Sequence, residues 1–342
     1  MPRPLKILMS TLLLASSPLL AEVKVVATLS AYASIARDLV GDRGTVTFIA
    51  RGDEDPHFVK PKPSFALMLR DADLFVTTGL DLELWGPTLV DKSGNTKIRD
   101  GQPGFVSVSQ GVVLRDIPDS VSRAAGDVHI YGNPHIHTSP IEAKAIAADI
   151  AAGLARVDPA GSATYETNLA DFDRRLDEAL YGKDLLALLP SETLDPLARE
   201  GTLIDFLSGR SYEGRPMLDR LGGWLGKGLP FRGEKIVTYH KNWIYFTDLF
   251  GLQIIDYVEP KPGIPPSAKH VKELVDEIAA QHVQVLLAAG YFDPTKPQLI
   301  ADRTGCRAVI LPLGPDEQGS YFDLVDDWVD SIAAAFAAGG RS

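Results

Sequence analysis

The chain has 342 residues, 45% of them hydrophobic and 23% charged, which is close to the average globular domain and unlike disordered or fibrous chains. Its 34 Lys and Arg against 45 Asp and Glu give a net charge of −11 at pH 7, which argues against nucleic acid and anionic membrane surfaces as partners, because both reward basic patches. That balance suits the attraction of cations, and the length exceeds what one core usually serves, so two domains are expected.

Residues 1–21 carry Arg3 and Lys6, an apolar run from Ile7 through Leu14, and then Ala15-Ser16-Ser17-Pro18-Leu19-Leu20-Ala21. These read as the basic region, apolar region and small-residue cleavage site of a signal peptide. The apolar run is well short of the roughly 20 residues that span a bilayer. Cleavage after Ala21 leaves 32 basic residues against 45 acidic ones, a net charge of −13. Cys306 is the only cysteine, so no disulfide can form within the chain and no cysteine near residue 21 is available for lipid attachment. The expectation is a soluble periplasmic protein, exported by its signal peptide and not lipid-anchored.

Val23–Leu29 reads as a strand and Tyr32–Val40 as a helix ending before Gly41; Thr45–Ala50 is a second strand, Phe65–Arg70 helix-like, and Leu74–Thr78 a third strand. This alternation predicts parallel βα units. Pro140–Val157 is an alanine-rich helix. From Asp158 to Gly182 the apolar residues Tyr165, Leu169, Phe172, Leu176 and Leu180 recur at helical steps, with Pro159 near the first turn, which predicts one long helix. A second alternating region follows, with strands at Lys235–Tyr239, Leu252–Tyr257, Val283–Ala288 and Ala308–Leu311 and helices at Ser267–Gln281 and Tyr321–Ala337. The expected fold is α/β, with two (β/α) lobes, 22–157 and 183–342, joined by a single long helix over 158–182.

Three histidines stand in contexts that resemble strand ends entering loops: His57 in Asp-Pro-His, His135 in Asn-Pro-His and His240 in Val-Thr-Tyr-His. Neutral imidazole is the commonest protein ligand for transition metals, and three imidazoles converging from distant segments make a zinc-type site. Pro56 and Pro134 stiffen the backbone ahead of two of the rings, so less ordering is needed when a metal arrives. Asp53, Glu54 and Asp55 add negative potential near His57.

The order of these motifs, with the aromatic Tyr245-Phe246 after His240 and the later Gly263-Ile264-Pro265-Pro266-Ser267, resembles the metal-binding solute-binding proteins of bacterial ABC transporters, the cluster of periplasmic zinc and manganese receptors. The resemblance covers nearly all of the chain after residue 21. It implies two lobes bridged by a rigid helix, with one metal bound in the interlobe cleft and passed to a membrane permease. It places the metal ligands on His57, His135 and His240. Zn2+ is the expected cargo, because three imidazoles suit zinc, copper, iron or nickel while manganese sites include more carboxylate. The cognate permease is the expected partner, a periplasmic metal chaperone is a further one, and the receptor is expected to be a monomer.

Two features depart from the family pattern. The family's fourth ligand is usually an aspartate after a late strand, but here Ile310-Leu311-Pro312-Leu313-Gly314-Pro315 carries no acid before Asp316 and Glu317. Those two acids, His137 and a water are the candidates for the fourth position. His135 and His137 point to opposite faces of an extended segment, so His137 reads as a hydrogen-bonding neighbour or wall of the site rather than a ligand. His129 reads as an ordinary loop histidine. The second departure is an insertion at about 183–233, whose Gly222–Gly228 run lacks the Ser or Thr and the preceding strand that a phosphate loop requires.

Other functional classes remain open on sequence alone. A manganese or other divalent-metal receptor of the same fold is one. A zinc-dependent hydrolase is another, since three histidines with an open fourth position and a water form a catalytic arrangement. Such an enzyme needs a general base, for which Glu54 is the only obvious acid beside a ligand, and no His-Glu-x-x-His occurs. An exported adhesin or regulator using the metal structurally is a third.

Overall fold

The computed structural model describes residues 22–118, 129–261 and 263–339; the signal peptide read from residues 1–21 lies outside them. The first sheet holds β1 (Val23–Leu29), β2 (Gly44–Ala50), β3 (Leu74–Thr77) and β4 (Phe105–Ser107) in the order β2-β1-β3-β4, all parallel. A two-stranded hairpin, β5 (Ser211–Tyr212) and β6 (Arg215–Pro216), follows. The second sheet holds β7 (Lys235–Thr238), β8 (Gln253–Tyr257), β9 (Val285–Ala289) and β10 (Arg307–Leu311) in the order β10-β9-β7-β8, again parallel. Two parallel-sheet lobes of an α/β protein are therefore present. The central strands are nearly continuous apolar runs, as sheets covered by helices on both faces require; β3 and β9 are buried at every position.

The helix Ser162–Tyr181 bridges the lobes. Twenty residues make it about 30 Å long at 1.5 Å per residue. Its buried stripe of Tyr165, Phe172, Leu176 and Leu180 meets the helices Ser30–Val40 and Ala143–Val157 of the first lobe and Gly223–Gly228 of the second. At its start Asp158 accepts hydrogen bonds from Arg43 Nη2 (2.6 Å) and Tyr165 Oη (2.6 Å). Farther along, Lys144 reaches both Asp177 on the helix and Asp195 beyond it. One apolar core runs through both lobes and this helix, and a smaller one fills the far side of the second sheet.

The stretch 183–233 folds as short helices and the β5/β6 hairpin. Its glycine-rich run is the helix Gly223–Gly228, where Trp224 Nε1 donates to Asp326 Oδ1 at 2.9 Å, so the run is packing structure and not a phosphate cradle. Strand β4 and the helices Gly86–Ser93, Ile244–Phe250 and Thr295–Thr304 have no counterpart in the sequence reading.

The backbones of the two lobes approach tightly beside Gly52. Leu313 N donates to Gly52 O at 3.0 Å, and a Cβ on Gly52 would fall 1.8 Å from Gly314 O. No side chain fits there without shifting backbone, so Gly52→Ala is expected to destabilise the protein by about 1–3 kcal/mol, as overpacking does. Urea unfolding measures this, and a midpoint equal to the parent's rules out the tight approach.

Candidate metal centre

The site lies where the carboxyl ends of both sheets face each other, the position at which open α/β sheets bind ligands. The segment after β2 carries His57, and the loop after β4 leads to His135 just before the 3-10 turn Ile136–Thr138. His240 lies two residues beyond β7. Strand order thus brings together residues far apart in sequence. Each of the three histidines offers a ring nitrogen, and the three atoms lie within 4.8 Å of one another. Their ring centroids are 5.2 Å (His57–His135), 5.9 Å (His57–His240) and 5.7 Å (His135–His240) apart.

The other nitrogen of each ring meets an oxygen. His57 Nδ1 lies 2.7 Å from Asp55 Oδ1, and His135 Nδ1 lies 2.9 Å from Asn133 Oδ1. His240 Nδ1, buried and without a close hydrogen-bond partner, sits 3.4 Å from Glu259 Oε1, a longer contact than the other two. Such partners select the tautomer with Nδ1 protonated, orient the ring and raise the basicity of Nε2. His135 Nε2 is buried and has no hydrogen-bond partner among the described residues. A buried polar atom without a partner is costly, so a ligand at this position gains what the atom lacks.

Burial sets the protonation state. His135 is pushed well below the usual histidine range, first by burial and then by the neighbouring rings of His57 and His240. His240 is also lowered by burial, although Glu259 opposes that shift. Both rings are therefore neutral at physiological pH, the form in which imidazole binds metals.

The two lobes hold this site jointly. Asn133, which orients His135, donates from Nδ2 to Lys241 O at 2.7 Å, and Tyr245 Oη donates to Asn133 O at 2.6 Å. Beside the rings is a cavity of about 220 Å³ lined by Asp55, His57, Phe58, His240, Glu259, Gly263, Pro265, Tyr291 and Phe292. It gives His57 and His240 a route to the outside.

The structure corrects several sequence expectations. Asp316 and Glu317 are exposed and line a different cavity with Arg51, Asp53 and Asp327, because Leu313 pairs with Gly52 and directs the chain there. Neither acid joins the histidine group. His137 is a wall: it is buried, its Nδ1 has no partner, and its ring stands edge-on to Tyr32 at 6.0 Å. Asp55, and not Glu54, contacts His57, and it does so at Nδ1, where it orients the ring. His129 is no ordinary loop histidine. Its Nε2 lies 3.1 Å from His57 Nε2 and its Nδ1 lies 2.6 Å from Asp81 Oδ1. No local motif marks His129 in the sequence; the structure shows that five of the seven histidines gather here.

Comparison with known proteins points the same way. The model of the family described as "Zinc-uptake complex component A periplasmic" (ZnuA) matches residues 25–182 and 218–335. The manganese ABC transporter substrate-binding lipoprotein PsaA of Streptococcus mitis is 29% identical over 326 residues, covering 92% of this chain and 90% of the relative. The match to PsaA of Streptococcus anginosus, 30% identical, is confined to 161 residues and covers 49% of that protein. The high-affinity zinc uptake protein ZnuA of Bacillus subtilis is 26% identical over 326 residues, 91% of this chain and 86% of the relative. In fold, the chain resembles a zinc-bound ZnuA deletion mutant with a TM-score of 0.67 at 22% identity, covering 92% of this chain and 98% of that one. It also resembles the substrate-binding protein FpvC of Pseudomonas aeruginosa in complex with Mn2+, with a TM-score of 0.63 at 21% identity, 93% of this chain and 99% of that one.

Proposed function

Because the chain belongs to the ZnuA family of metal-binding substrate-binding proteins of ABC transporters, we propose that it is a zinc receptor that holds its cargo on His57, His135 and His240 and delivers it to a cognate membrane permease. The family consists of transport receptors, not enzymes, which removes the hydrolase reading. The observation that carries the choice of zinc is the donor set. Three imidazole nitrogens converge, while the nearby carboxylates of Asp55 and Glu259 sit at the Nδ1 side of their rings. Nitrogen-only donors favour zinc and its neighbours in the transition series over manganese, which prefers carboxylate and water oxygen. Those carboxylates offset the charge of a buried dication without binding it directly.

Relatives named for manganese and for zinc both match, so the deciding experiment is a competition. Stripped protein comprising residues 22–342 is titrated with zinc and with manganese against a chelator. One tightly bound zinc per chain that excess manganese fails to displace supports the reading, and preference for manganese overturns it. Asp55→Ala is expected to weaken zinc binding by roughly 10–100-fold, the usual cost of losing a partner that orients a ligand. Unchanged affinity there removes Asp55 from the orienting role.

The same proposal places the protein in the periplasm as an unanchored monomer, with the permease and a periplasmic metal chaperone as its partners. Relatives such as PsaA are named lipoproteins. In this chain Cys306, the only cysteine, is buried at the start of β10. The mass of the exported protein checks the point: the unmodified mass of residues 22–342 agrees with release by signal cleavage, and added lipid mass contradicts it.

A further inference from the structure

We propose that His129 is the fourth metal donor, so that the cargo sits in an all-imidazole sphere of His57, His129, His135 and His240. This rests on the metal-receptor reading and adds to it a residue that determines which cation is accepted.

The spacing of the ring nitrogens fits a tetrahedral ion. Four donors at 2.0–2.1 Å around a tetrahedral zinc stand about 3.3–3.4 Å from one another. His129 Nε2 and His57 Nε2 are 3.1 Å apart, close to that edge. The His129 ring centroid is 5.2 Å from that of His57 and 6.0 Å from that of His135, comparable to the separations among the other three.

The carboxylates behind the two rings aim their lone pairs. His57 Nδ1 faces Asp55 and His129 Nδ1 faces Asp81, at 2.7 Å and 2.6 Å, and a carboxylate there favours the neutral tautomer that carries its hydrogen on Nδ1. Both Nε2 atoms then present lone pairs to each other at 3.1 Å, which repel unless a positive centre lies between them. A metal ion supplies it for both at once, and for the unpartnered, fully buried Nε2 of His135 as well.

Asp81 is itself anchored to the fold. Its φ of 59° lies in the left-handed region, which aspartate adopts more readily than most residues other than glycine. Two residues on, buried Glu83 accepts hydrogen bonds from Thr28 Oγ1 (2.6 Å), Thr78 N (3.0 Å) and Thr77 Oγ1 (3.1 Å), which ties this loop to the ends of β1 and β3. The pairing of Asp81 with His129 repeats that of Asp55 with His57: a carboxylate on Nδ1 aims Nε2 at its neighbour. With Asp316 and Glu317 lining a separate cavity, His129 fills the position that the sequence left to an acid or a water.

The test reads coordination directly. Stripped protein and its His129→Ala and His129→Asp variants are loaded with one equivalent of zinc for X-ray absorption, and with cobalt for the intensity of its visible bands. Four imidazoles in the parent, three in His129→Ala, and a zinc affinity reduced more than 100-fold are expected, beyond the roughly 10–100-fold that outer partners cost. His129→Asp is expected to narrow the preference for zinc over manganese by introducing an oxygen donor. Thermal melts of the metal-free variants establish that the fold persists. Three imidazoles in both parent and His129→Ala, with affinities within threefold, would mean a hydrogen bond between two imidazoles only; the inference then falls while the receptor reading stands. A parent that binds no metal overturns both.

Discussion

Replacing His57, His135 or His240 by alanine is expected to lower zinc affinity by at least 100-fold in each case, a loss of about 2.7 kcal/mol or more of binding free energy. Each ring supplies one of the three nitrogens gathered within 4.8 Å, and its removal leaves water to replace an oriented imidazole. The metal-free fold should tolerate the changes, because the apolar core lies along the sheets and the bridging helix and not among the histidines. Chelator competition gives the affinities, and urea unfolding of stripped protein gives the stabilities. His135→Ala also removes a fully buried ring bonded to Asn133, so it lowers stability as well as affinity. His57→Ala and His240→Ala flank the cavity and isolate the ligand effect. A variant that binds zinc as the parent does takes that residue out of the site.

Metal-free protein should lose stability steeply in acid. Burial, helped by the nearby His57, holds His137 at about 3 in the folded protein, against about 6.5 when unfolded. Below pH 6.5 the unfolded chain takes up a proton that the native state refuses. Stability is thus fully present above pH 6.5 and declines as pH falls toward 3, by about 1.4 kcal/mol per unit, on the order of 5 kcal/mol in all from this residue. His135 and His240 are shifted in the same direction and steepen the fall. His137→Phe keeps an aromatic ring against Tyr32, removes the unpartnered Nδ1 and should flatten the curve. Urea midpoints at pH 7.5, 6, 5 and 4.5 decide it; parallel curves for parent and His137→Phe would show that His137 is not the group responsible. Zinc-loaded protein should hold its stability to lower pH, because binding keeps the ligands unprotonated.

Both results depend on how differently the seven histidines are placed, and sequence revealed this only in part. The proline-preceded motifs at His57 and His135, and the strand end at His240, were recognisable because local chemistry marks them. His129 carries no such mark: it lies 72 residues from His57, and only the crossing order β2-β1-β3-β4 brings their loops together. Asp316 and Glu317 were plausible on sequence order, yet the approach of Gly52 to Leu313 and Gly314 turns that loop elsewhere. Strand β4 escaped notice because three residues are too few to show a period, and the pairing with β3 supplies its geometry.

The alternation of buried strands and amphipathic helices is written in the residue order, because apolar periodicity is a local property that each segment carries wherever it packs. That order also set the helix Ser162–Tyr181 through a stripe of large apolar residues, and it supplied imidazoles rather than carboxylates at the loop positions that mattered. Tertiary structure alone decided which histidines meet, which ring nitrogen each presents and which acid orients it. Those are relations between loops from different strands, fixed to tenths of an ångström by strand order and by lobe-to-lobe hydrogen bonds such as Asn133 to Lys241. Ligand type is written in the residues, whereas the geometry that selects a cation exists only once both sheets have turned their carboxyl ends toward the same point.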